Sequence, residues 1–143
     1  MPAPLTETAK ISQQLVELYE RLSSWEQDVV KSSGLSPAQM HTIEIVGHCG
    51  AALRMKELAQ KMGVTTGTLT VMIDRLEQQE LLQRRPHQTD RRSYLIALTE
   101  KGRELFAEHH QYHQRLTEEI TASLSREEQS MFSAILGKII GRM

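Results

Sequence analysis

Gly63-Val64-Thr65-Thr66-Gly67-Thr68-Leu69-Thr70-Val71-Met72-Ile73-Asp74-Arg75 is the stretch whose reading decides the fold. With Leu76, its apolar residues Leu69, Met72 and Ile73 fall at the i, i+3, i+4, i+7 spacing of one buried helical face. The opposite face holds Thr66, Gly67, Thr68, Thr70, Val71 and Arg75, short or small groups where long charged side chains usually solvate an exposed helix. Such a face suits close approach to another surface, of which a DNA major groove is one. Immediately upstream, Met55, Leu58, Ala59 and Met62 mark a short amphipathic helix, and Gly63 can supply its left-handed stop. Helix, glycine turn and groove-compatible helix together predict a helix-turn-helix.

Working outward, Leu81–Arg85 and Ser93–Leu98 are short runs of strand character around a polar loop, Pro86-His87-Gln88-Thr89-Asp90-Arg91-Arg92. A hairpin directly after a recognition-type helix is a wing. On the other side, Ser36-Pro37-Ala38-Gln39 combines an N-cap serine, a first-turn proline and a glutamine three residues on, opening a helix that packs Met40, Ile43 and Val46. Farther out, Ile11, Leu15, Leu18, Leu22, Trp25 and Val29 alternate steps of four and three on a helix of about 25 residues, a coiled-coil-type stripe that calls for a partner helix, with Gly34 as its stop. Thr99-Glu100 caps a long helix to about residue 122, and Ser125-Arg126-Glu127-Glu128 is a capping box before Phe132, Ile135, Leu136 and Ile139. Residues 1–4 read as disordered. The expected architecture is mainly α: one domain over 1–143, with a winged helix-turn-helix at about 36–100 and dimerisation helices at about 5–33 and 104–143. Its β part is a small wing of two or three strands.

Composition narrows the partners. The chain of 143 residues has a net charge of −1, but residues 54–103 hold ten Lys/Arg against six Asp/Glu, and the remainder holds seven against twelve. A basic centre between acidic flanks suggests that only the middle meets a polyanion. No run approaches the roughly 18 apolar residues of a membrane span, and no signal-type N-terminus is present, so a cytoplasmic location without membrane association is expected. A lone Cys49 excludes an internal disulfide framework, and at a helix C-terminus it reads as structural rather than redox-sensing. No enzyme constellation assembles: His109-His110-x-x-His113 lacks the HExxH order, and neither a phosphate loop nor a nucleophile elbow is present.

Taken together, LSPAQ (35–39), KELAQKMGVTTGTLTVMIDRLE (56–77), RRPHQTDRRSYLIALT (84–99) and KGREL (101–105) resemble the MarR family of winged-helix transcription regulators. The combination of Asp90-x-Arg92 with Leu98-Thr99-x-x-Gly102 carries the most specific part of the likeness. The resemblance implies a homodimeric regulator, a repressor by default, reading a pseudo-palindromic operator in double-stranded DNA. Thr65, Thr66, Gly67, Thr68, Thr70, Val71 and Arg75 would face the major groove and its phosphates. Arg92 would probe the minor groove with Asp90 orienting it, and Arg84, Arg85 and Arg91 would neutralise phosphates. Two departures stand out: Glu80 where the family usually has glycine, and Val71 where it often has a base. The competing expectation is a winged-helix protein-interaction adaptor without a DNA site.

The resemblance also implies an effector, with no cofactor required. A small aromatic or amphipathic acid, held between the dimer helices and the winged part, is the favoured class. Zinc is the alternative. His41, Glu108, His109 and His113 match the histidine pattern of the family's zinc-sensing branch, and His109 and His113 stand one helical turn apart. That branch also uses a carboxylate and a cysteine on the N-terminal helix, where this chain offers only Glu20 or Glu26 and no cysteine.

Overall fold

A computed structural model describes Met1 and residues 4–143. Part of the disorder expected at residues 1–4 therefore falls on Pro2 and Ala3, outside the described residues. The element order is α1 (Glu7–Ser33), α2 (Pro37–Cys49), β1 (Leu53–Arg54), α3 (Met55–Met62), α4 (Thr66–Gln78), β2 (Leu82–Pro86), β3 (Tyr94–Leu98), α5 (Glu100–Thr121) and α6 (Arg126–Ile140). The chain divides into two compact units, Met1–Phe106 and Ala107–Met143.

Local chemistry sets the boundaries in the first unit. Thr6 caps α1 by accepting the Ala9 N–H at 3.2 Å, and Gly34 ends it at φ 75°. The Ser36 box is complete: Ser36 Oγ accepts the Gln39 N–H at 3.2 Å, and Gln39 Oε1 accepts the Ser36 N–H at 2.9 Å. Gly63, at φ 67°, makes the left-handed turn between α3 and α4 that a side chain would strain. The expected inner face of α4 forms, with Leu69, Ile73 and Leu76 fully buried and Met72 half-buried. They pack with Met40, Ile43, Val46, Leu58, Leu82 and Ile96 in one core. Buried Thr42 donates its hydroxyl to the Ala38 carbonyl at 2.9 Å and sets it 2.8 Å from the Met72 sulfur, so a polar atom enters the core without being orphaned.

The sheet has three antiparallel strands in the order β1-β3-β2. The β2–β3 pairing runs from Leu82 opposite Leu98 to Pro86 opposite Tyr94, as a wing hairpin should. β1 adds Leu53 and Arg54 opposite Ile96 and Leu95. A strand of two residues is too short to show alternation, which is why the sequence signals only the hairpin.

In the second unit, the Ser125 box opens α6: Ser125 Oγ accepts the Glu128 N–H at 3.1 Å, and Glu128 Oε2 accepts the Ser125 N–H at 2.8 Å. α6 buries none of its residues, and Phe132, Ile135, Leu136 and Ile139 are exposed. In the first unit, Ile11, Leu15, Leu18 and Leu22 of α1 are exposed as well. The apolar stripe of α6 and the first part of that of α1 are thus exposed.

Candidate nucleic-acid interface

The interface is built on α4. Burial of Leu69, Ile73 and Leu76 fixes which way the helix faces, and Thr66, Gly67, Thr68, Thr70, Val71 and Arg75 are consequently exposed. Thr65 is the N-cap: its Oγ accepts the Thr68 N–H at 3.2 Å and lies 3.0 Å from the Thr68 hydroxyl. The Thr70 hydroxyl donates back to the Thr66 carbonyl at 2.8 Å. Three of the expected contact threonines, Thr65, Thr68 and Thr70, therefore have their hydroxyls aligned by the helix itself, presenting methyls and lone pairs in fixed directions. A Cβ at Gly67 would meet nothing nearer than the Thr65 hydroxyl at 4.0 Å, so the space over this glycine is open.

The wing arginines separate into three environments. Arg84 is tied to α4: Nη2 donates to Asp74 at 2.6 Å and Nη1 to Glu77 at 3.1 Å. The Asp74 hydrogen bond is the main cause of a guanidinium pKa raised above its ordinary value, with Glu77 assisting against partial burial. Arg84 is expected from the sequence to neutralise phosphate, but its charge is already matched by carboxylates of α4. Arg85 is the next residue on β2, and strand alternation sends it to the opposite sheet face, away from Arg84. Arg85 is exposed there, and Arg91 and Arg92 stand exposed at the wing tip.

Asp90 organises that tip in a different way from the one expected. Its Oδ1 accepts the backbone N–H of Arg92 at 3.0 Å, and its carbonyl accepts the Ser93 N–H at 3.2 Å. Asp90 therefore fixes the loop path, and among the described residues the Arg92 guanidinium has no ion pair.

His87 and Arg54 belong to this site too, and the sequence pointed to neither. His87 Nδ1 lies 3.1 Å from the Asp90 N–H nitrogen and 3.3 Å from that of Thr89, while Nε2 lies 2.9 Å from Arg54 Nη2. The ring thus joins the wing loop to the strand that leads into α3. A neutral imidazole has one acceptor nitrogen, so the loop amides and Arg54 compete for it. A histidine in a turn was visible in the sequence; its contact 33 residues away was not.

The base of the wing is equally constrained. Glu80 adopts φ 61°, the left-handed conformation in which glycine is strain-free. Its carbonyl accepts the Thr99 hydroxyl at 2.5 Å, and that same hydroxyl oxygen accepts the Gly102 N–H at 3.0 Å. A Cβ on Gly102 would collide with the Leu81 carbonyl. The Leu98-Thr99-x-x-Gly102 pattern therefore has a steric and hydrogen-bonding reason.

The proposed metal ligands are placed as follows. In the second unit, His109 is buried, and its Nε2 lies 3.1 Å from that of His113 one turn on. Glu108 lies on the neighbouring row, where its carboxylate accepts from the Tyr112 hydroxyl at 3.5 Å. In the first unit, His41 is exposed on α2.

A capped helix with a small-residue outer face, followed by a hairpin with basic residues at its tip, defines a winged helix-turn-helix DNA-binding protein. The MarR family model matches residues 35–94. The transcriptional regulator MhqR of Bacillus subtilis is 31% identical over 77% of this chain and 75% of its own length. The transcriptional repressor MdtR of the same organism is 31% identical over 62% of this chain and 56% of its own length. The structure of Streptococcus pneumoniae FabT in complex with DNA matches with a TM-score of 0.84 at 24% identity, over 94% of this chain and 96% of that one, a likeness of fold. The chain belongs to the MarR family of DNA-binding transcription regulators. Among the described residues, no helix is long and apolar enough to cross a membrane.

Proposed function

We propose that this protein is a dimeric repressor that reads a pseudo-palindromic operator, with α4 in the major groove and Arg92 in the adjacent minor groove, and that a small effector releases it. The observation that carries this reading is the pairing of an α4 whose first two turns expose only short side chains, Thr66 to Val71, with a wing tip whose Arg91 and Arg92 are exposed. Thr66, Thr68, Thr70, Val71 and Arg75 would meet base edges and phosphates, with Thr65 and Gly67 shaping the helix start. Arg92 would gain from the enhanced negative potential of a narrow A·T-rich groove. The apolar stripes of α1 and α6 would be covered by a second copy, setting the recognition helices at the half-site spacing of about one helical turn. MdtR, named as a repressor, supports the sign of regulation.

The test is fluorescence anisotropy on the DNA upstream of the protein's own coding region, at several salt concentrations. Wild type should bind with a steep salt dependence. Arg92→Ala should weaken binding by about 1–3 kcal/mol and lower the magnitude of the salt slope by about 1. Unchanged binding on charge reversal at Arg92 would favour the protein-interaction adaptor instead.

A metal effector is a second reading, favoured by the His109–His113 pair. Their nitrogens, 3.1 Å apart, are close to the roughly 3.3 Å that two imidazoles span on tetrahedral zinc. If zinc alters operator affinity in wild type and not in the His109→Ala, His113→Ala double variant, this pair is the sensor; indifference to both zinc and chelator removes it.

A further inference from the structure

Val71 is 54% exposed, an apolar, β-branched group in the middle of the outward face of α4. Such a residue suits an exposed helical position poorly, both in its restricted rotamers and in the water it orders. Gly67 lies four residues earlier, on the same face one turn below. Helical side chains lean toward the N-terminus, so the Val71 methyls stand over the turn that holds this glycine. A Cβ on Gly67 would meet only the Thr65 hydroxyl, at 4.0 Å, so the space in front of the valine is open. The result is a shallow apolar notch, with Gly67 as its floor and Val71 as one wall.

The threonines around the notch present different groups. The Thr70 hydroxyl donates its proton to the Thr66 carbonyl at 2.8 Å, and that of Thr65 donates to Thr68 Oγ at 3.0 Å. Thr68 Oγ is the acceptor in the second bond, which leaves its own proton for a groove partner. Thr68 stands three residues before Val71, within reach of the same base edge. The first two turns of α4 thus offer one hydroxyl donor beside an apolar notch. In the major groove, thymine is the base whose edge sets an acceptor, O4, next to an apolar group, the C5 methyl. Guanine, adenine and cytosine present polar atoms without a methyl, and a valine over these would strip water without replacing its hydrogen bonds.

We propose that Val71 and Thr68 specify a thymine in each operator half-site. The C5 methyl enters the notch over Gly67 against Val71, and Thr68 Oγ donates to O4 of the same base. This inference rests on the major-groove reading of α4 proposed above and deepens it by naming the base and the two residues that select it. Both side chains are exposed, so changing them leaves the buried face of α4 intact.

The full-length protein first selects its operator from a pool of random-sequence duplexes. The operator is then rebuilt with deoxyuridine in place of one thymine at a time, which removes the methyl and keeps O4 and the base pairing, and binding is read by anisotropy. One thymine per half-site should respond. Its exchange should weaken wild type about fourfold in one half-site and about 15-fold in both, and Val71→Ala less than about twofold. 5-Methyldeoxycytidine paired with guanine at that position keeps the methyl but puts an amino donor where O4 was. Placed in both half-sites, it should weaken wild type about tenfold and Thr68→Val about threefold or less. An operator that is bound tightly yet indifferent to every deoxyuridine exchange overturns this inference alone. An equal response from wild type and Val71→Ala removes the role of Val71, and an unchanged gap between thymine and 5-methylcytosine in Thr68→Val removes that of Thr68. A pool that yields no operator overturns the DNA-binding reading, and this inference with it.

Discussion

Gly67 separates stability from recognition at a single position. As the second residue of α4 it costs helix propensity, and nothing within the chain fills the space over it. Gly67→Ala should therefore raise stability, by up to about 1 kcal/mol. If a groove surface approaches the helix here, the same variant should lose operator affinity; thermal melts and anisotropy on one preparation would show the two effects moving in opposite directions. Glu80 poses the converse case. A left-handed non-glycine residue costs about 1–2 kcal/mol, partly offset by the extra chain entropy of glycine when it is replaced. Glu80→Gly should stabilise the fold by up to about 1 kcal/mol and raise Tm by a few degrees, with DNA affinity little changed. A drop in Tm would mean that the glutamate makes a compensating interaction.

At the scale of elements, the clamp between α4 and β2 explains why a recognition helix can carry Asp74 and Glu77. Two carboxylates beside a phosphate backbone repel it, and Arg84 cancels them at 2.6 and 3.1 Å. Arg84→Ala should weaken operator binding although Arg84 itself is already paired. Adding Asp74→Asn and Glu77→Gln to that variant should restore most of the affinity, since the repulsion goes with the charges. If the triple variant binds no better than Arg84→Ala, Arg84 contacts DNA directly. The pair of Asp90 and His87 works on the same scale, holding backbone amides of the wing loop so that Arg91 and Arg92 project from a defined turn.

For the whole molecule, the exposed stripes of α1 and α6 make assembly the central expectation. Leu15 is 53% exposed and Ile135 48% exposed, large apolar groups that a second copy would cover. Leu15→Glu should shift the protein to monomer in sedimentation equilibrium and abolish tight operator binding, because one recognition helix alone reads only a half-site. A monomeric wild type would refute the dimeric reading. The elements themselves were legible from local chemistry: the capping boxes at Ser36 and Ser125, the left-handed stops at Gly34 and Gly63, and the buried spacing of Leu69, Ile73 and Leu76 all act within a few residues along the chain. From these the sequence by itself determined the helices, the wing and the outward face of α4. Only the tertiary structure decided what each cation does. Arg84, Arg85 and Arg92 are alike in sequence, but strand alternation and the packing of α4 give them a carboxylate clamp, the opposite sheet face and an exposed loop. The contact of His87 with Arg54 likewise depends on distant segments meeting, which no local pattern encodes.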